Sequence, residues 1–151
     1  MTEMTDIKSI PQAPLTLTIL GAIPVWILIL LPKAFFTEIA FPVFIYAALI
    51  VSFLGGINWG LSLLHKNRFF LWSVIPCIFI WFVTWMYFIN ERIDNVFYYW
   101  VFLLIALLVQ FGIDYFIAEQ DEKLNWTRLQ RLIGTVLIGL PVLVVIFRLA
   151  V

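Results

Sequence analysis

The side chains able to do chemistry are few, and they sit in apolar surroundings. Asp114 is the one acid inside an apolar stretch. Gln110 precedes it by four residues, so on a helix the amide and the carboxylate share a face. Asn58, followed by Trp59, interrupts a second apolar stretch, and Ser73 lies near the start of a third. Polar groups are costly in lipid and normally face other helices or water, which makes Asn58, Trp59, Ser73, Gln110 and Asp114 the candidate ligand-binding set. Asp114 has two roles open to it. It can titrate or orient a ligand with Asn58, or it can pair with Arg68, Arg128 or Arg131. Asn58 can equally serve by bonding a neighbouring helix.

No catalytic residues are assigned. HExxH, GxSxG and phosphate-loop patterns are absent, and so are paired histidine ligands. The single histidine, His65, stands beside Lys66 at the edge of an apolar stretch and reads as an interfacial residue. The single cysteine, Cys77, makes neither a disulfide nor a zinc site alone, and reads as a packing residue. The expectation is a non-enzymatic protein with no metal and no cofactor.

The elements that hold these residues follow from composition. Of 151 residues, 64% are hydrophobic and 12% are charged. Soluble chains carry about 25% charge, so this chain is too apolar to bury its own surface in water. Nine Lys and Arg balance nine Asp and Glu, which leaves no basic excess for nucleic acid. An integral membrane protein remains. A crossing helix needs roughly 20 apolar residues, and five stretches qualify: 15–31, 39–64, 69–89, 97–118 and 132–150. Runs such as Leu103–Val109 lack the period-two alternation of barrel strands, so the fold class is all-α, an antiparallel bundle of five transmembrane helices in a single domain over 1–151. The first stretch follows Glu3 and Asp6, with Lys8 the sole base before it, and reads as a retained span instead of a signal peptide.

Within the second stretch, Ala48, Ser52, Gly56 and Gly60 recur every four residues, beside Gly55. On a helix they form a stripe where another backbone can approach closely, so these five residues are assigned to helix packing. Local opening of the helix to line a cavity is the competing reading. Tyr46 through Gly60, with its SFLGGINWG core, resembles the hallmark of a family of uncharacterised small bacterial inner-membrane proteins, to which animal transmembrane protein 69 is similar. The resemblance takes in Leu20-Gly21-Ala22-Ile23-Pro24, and Ser73-Val74-Ile75-Pro76 followed by Trp81. It implies a multi-pass protein of the bacterial inner (plasma) membrane and supplies no activity.

Loops rich in Lys and Arg stay cytoplasmic. Lys8, Lys66, Arg68, Lys123, Arg128 and Arg131 fall on one side, against Lys33, Arg92 and Arg148 on the other. The N-terminus is therefore expected inside and the C-terminus outside. Trp26, Trp85, Tyr87, Tyr98, Tyr99 and Trp100 then lie toward the outer interface, where an aromatic belt is expected. Pro24, Pro76 and Pro141 sit at similar depth in three outward-running spans and are kink candidates, freeing the carbonyls of Leu20, Trp72 and Leu137. Pro42 reads as a first-turn proline of the second span, and 125–131 as an interfacial lead-in to the last. Thr16, Thr18, Asn58, Ser73, Gln110, Asp114 and Thr135 all fall in the cytoplasmic half. This asymmetry predicts a cytoplasm-facing pocket for a hydrophobic or amphipathic ligand or a membrane partner, with the lipid bilayer as surroundings. The alternative is a small transporter or channel, as a homo-oligomer.

Overall fold

The structure is a computed structural model that describes residues 11–64, 70–89, 96–119 and 125–150. Five helices follow one another: α1 (Gln12–Leu30), α2 (Lys33–Leu64), α3 (Phe70–Ile89), α4 (Val96–Glu119) and α5 (Asn125–Ala150). Residues Lys8, His65, Lys66, Arg68, Arg92 and Lys123, used above to mark loops and sides, lie outside the described residues, as does the side chain of Ser73.

Two helices, α2 and α5, start more than a full turn earlier than the apolar pattern suggests. Leu31 is extended (φ −75°, ψ 145°), because the proline that follows disfavours helical geometry at the residue before it. Pro32 then offers its carbonyl to Phe35 (3.0 Å) and Phe36 (3.2 Å), and α2 begins at Lys33. Lys33 and Glu38 are helical, and Pro42 is interior to α2, not in its first turn. Likewise 125–131 is not a separate lead-in but the first turns of α5. Charge marked the edge of the apolar segment, not the end of the helix.

Four helices are long and apolar enough to cross a membrane: α1, the 38–60 part of α2, α4, and 126–150 of α5; the apolar segment of α3, Val74–Ile89, is shorter. Large apolar side chains cover the outside as well as the core. Leu30, Phe53, Phe88 and Phe147 are among many exposed ones. A surface this apolar needs a lipid solvent.

Named contacts fix the relative directions. Phe44 meets Trp100 (5.6 Å between rings) and Asn58 meets Asp114, so α2 and α4 run the same way. Thr18 with Gln130, Trp26 with Leu137 and Ile29 with Arg148 show that α1 and α5 also do. Cys77 lies against the Val51 and Ser52 carbonyls while Phe41 meets Tyr87, so α3 runs opposite to α2. α2 packs on α1, α3 and α4, and α4 on α2, α3 and α5, so the two share the centre.

The end of the bundle that holds Phe36 and Trp100 is tightly filled. Phe41, Phe44, Tyr87, Tyr99 and Trp100 form one aromatic cluster, with Tyr87 stacked on Tyr99 at 4.8 Å. Tyr99 and Trp100 were expected in an interfacial belt. They are instead buried, and the Tyr99 hydroxyl donates to the Met86 carbonyl (3.1 Å). Buried rings of this size contribute area plus edge-to-face geometry. Tyr98 and Trp85 are exposed as a belt requires.

Trp26 also does something other than anchoring. Its indole N–H donates to the Leu137 carbonyl (2.8 Å), the group that Pro141 leaves without a helical donor. Arg148 donates to the Ile29 (2.9 Å) and Leu31 (3.3 Å) carbonyls, capping the end of α1. A cation near a helix C-terminus is favourable for the same reason that its carbonyls are unpaired.

Candidate functional site

Opposite the packed end, α1, α2, α4 and α5 diverge around a cavity of about 460 Å³. Ile50, Phe53, Leu54 and Ile57 of α2 form an apolar wall, joined by Leu107 and Ile117 of α4 and Ile138 of α5. Its polar lining is Thr18, Asn58, Asp114, Thr127, Gln130, Arg131 and Thr135. Leu17 and Phe53 both line the cavity, yet are 70% and 69% exposed. The mouth therefore opens sideways between α1 and α2. The Tyr46 hydroxyl, donating to the Gly21 carbonyl (3.0 Å), bridges α1 and α2 toward the packed end.

Asp114 organises the polar end. Asn58 and Gln110 (3.0 Å) both donate to its Oδ1, and Arg131 Nε stands 3.3 Å from its Oδ2. All are well buried: Asn58 3%, Gln110 0% and Asp114 5% exposed. A buried carboxylate is tolerable only with a counter-charge and with donors on both oxygens, and this site supplies both. Of the three arginines the sequence left open, Arg131 makes the pair among the described residues, and Arg68 lies outside them. One turn earlier, the Arg128 guanidinium sits over the Tyr115 ring at 5.1 Å.

A second small network closes the floor. Gln130 Nε2 donates to the Thr18 hydroxyl oxygen (3.0 Å) and to the Pro14 carbonyl (3.2 Å). The Thr18 hydroxyl in turn donates to Pro14 (2.9 Å). Gly134 allows this approach, since a Cβ there would lie 3.1 Å from the Thr18 methyl.

Of the five ligand candidates, Asn58 and Asp114 line the cavity, and Gln110 is buried behind them as a support. Trp59 is not part of the lining; it is 48% exposed on another side of α2. Pro76, on α3, is not part of the lining, and the side chain of Ser73 lies outside the described residues. Pro24 and Pro141 also stay outside the lining, though Gly21 and Ile138 beside them belong to it. The small-residue stripe packs within the chain only in part. Ala48 and Gly55 are buried and Ser52 is half-buried, donating to the Ala48 carbonyl (3.1 Å). Gly56 and Gly60 are exposed, with open space where a side chain would be, so they are not helix contacts within the described residues. The close contact of that kind is at Gly134. Gln130 was missed because its role depends on α5 extending back to residue 125, and Gly134 because its role depends on how closely α1 packs on α5. Thr18 was visible only as one polar residue among several.

Residues 10–147 match the family described as Protein of unknown function (DUF3429), and the chain belongs to that family. No solved structure matches the fold.

Proposed function

We propose that the protein is a non-enzymatic, five-span membrane bundle that takes up a hydrophobic or amphipathic ligand from the lipid phase. The observation that carries this reading is the cavity: apolar walls, one polar end, and a mouth between Leu17 and Phe53. Its volume falls in the range of small-molecule sites, roughly 300–1,000 Å³. Chain direction supports five crossings. α2 and α4 run alike, so α3 must return across the same thickness, and its 20 residues cover about 30 Å. The Lys and Arg distribution supports a cytoplasmic N-terminus, an external C-terminus and a cavity toward the cytoplasm. The resemblance around Tyr46–Gly60 supports a bacterial inner membrane and kinship with transmembrane protein 69.

A transporter or channel is the weaker reading. The Phe44–Trp100 cluster and the fully buried Val25, Leu28 and Val145 fill the bundle beyond the cavity. The test is purification in native lipid followed by mass spectrometry. The parent should retain about one small amphiphile or partner per chain, and Ile57→Trp, which fills the wall, should lose it while the outward-facing Ile78→Trp keeps it. A parent that retains nothing overturns the reading.

A further inference from the structure

We infer that the cavity selects a single-chain amphiphile with an anionic oxygen headgroup, a carboxylate or a phosphate, held by Arg131. This rests on the ligand-binding reading above and adds the chemistry of the head and the number of tails.

The guanidinium of Arg131 engages Asp114 through Nε, and its two terminal nitrogens have no partner among the described residues. Arg131 lines the cavity with only 14% of its side chain exposed. A guanidinium in that state offers paired N–H donors to an oxyanion, the geometry that suits carboxylates and phosphates. Asp114 does not use up the positive charge at this end. Arg128 precedes Arg131 by one turn on α5, and its Nε is buried without a hydrogen-bond partner among the described residues. A carboxylate or phosphate takes both terminal nitrogens at once and matches their charge, whereas an ester or alcohol oxygen offers no charge to match.

The tail count comes from volume. At roughly 30 Å³ for a water-sized group, about 460 Å³ holds on the order of fifteen groups, one alkyl chain and not two. The head meets Arg131 at the polar end. The chain lies along Ile50, Leu54 and Ile57, with the mouth at Leu17 and Phe53 as the way in.

The test is competition against a terminal-diazirine hexadecyl photoprobe in nanodiscs, with cross-linked peptides mapped by mass. Palmitate, hexadecyl phosphate, methyl palmitate and hexadecanol are the competitors. In the parent, the better of the two anions should displace the probe from α1, α2 and α5 peptides at least about tenfold more effectively than the ester or alcohol, equivalent to about 1.4 kcal/mol. Whichever anion is stronger names the head. In Asp114→Asn/Arg131→Gln, which removes both charges together, the preference should fall below about threefold while labelling of the cavity persists. Helicity and thermal unfolding of that variant establish that it is folded, and Arg131→Lys, which keeps the charge, should retain part of the preference. Equal displacement by anions, ester and alcohol overturns the headgroup assignment and leaves hydrophobic uptake standing. Absence of displaceable labelling in the cavity overturns both.

Discussion

A carboxylate held within lipid-facing helices is the costliest residue in this chain, and its surroundings show how the cost is offset. Asp114 accepts from Asn58 and Gln110 on one oxygen and faces Arg131 on the other. Interhelical hydrogen bonds in membranes average about 0.6 kcal/mol, so Asn58 on α2, like Gln110 on the same helix as the acid, acts mainly by fixing the carboxylate. The ion pair matters differently. Removing one member of a buried pair costs about 3–5 kcal/mol, because it strands the other charge, whereas removing both can be nearly neutral. Arg131→Gln should therefore destabilise the fold by about 3 kcal/mol, and Asp114→Asn/Arg131→Gln by less than about 1.5 kcal/mol. Reversible unfolding in mixed micelles measures both; a double variant as unstable as the single one would contradict the pairing. Much of this centre is legible in the sequence. Gln110 and Asp114 share a helix face by spacing, and Asn58 has few reasons to be in lipid other than a partner. The choice of Arg131 over Arg128 is not legible, because it depends on the rotation of α5 about its axis.

Helices here are joined by side chains that occupy backbone groups left open by prolines and helix ends. Pro141 frees the Leu137 carbonyl and the Trp26 indole takes it; Arg148 takes the last carbonyls of α1. Both links tie α1 to α5. Trp26→Phe should cost about 0.5–1.5 kcal/mol, the net worth of a hydrogen bond. In a Pro141→Ala background the cost should vanish, since residue 141 then supplies its own N–H to Leu137. A double-mutant cycle on unfolding free energy reads this directly; equal costs in the two backgrounds would mean that the indole contributes by packing alone. The proline and its freed carbonyl are readable from sequence, but the donor is not. A tryptophan near a membrane interface is ordinarily an anchor, and only the packing of α1 on α5 sets Trp26 to a second use. Tyr99 and Trp100 mislead for a related reason: a polar-tipped ring can finish in a core when a carbonyl such as that of Met86 is within reach.

Taken whole, the bundle is solid at one end and hollow at the other. The solid end is built from large rings and branched side chains. The hollow end is held apart by charges and amides that cannot collapse onto apolar walls without losing their partners. Apolar length and charge placement were enough to locate the five helices and the polar half. They could not show that Gly56 and Gly60 face outward, because a stripe of small residues does not say which neighbour it meets. The central claim is a cavity that lipid-soluble molecules enter from the side. Its most direct test is saturable uptake of an uncharged fluorescent alkyl reporter by the protein in nanodiscs, before and after a short bifunctional cross-linker joins Leu17→Cys to Phe53→Cys in a Cys77→Ala background. Uptake at about one reporter per chain, lost on bridging the two positions and kept when the linker is omitted, is the predicted result. Saturable uptake unchanged by the bridge, or none before it, would contradict the account.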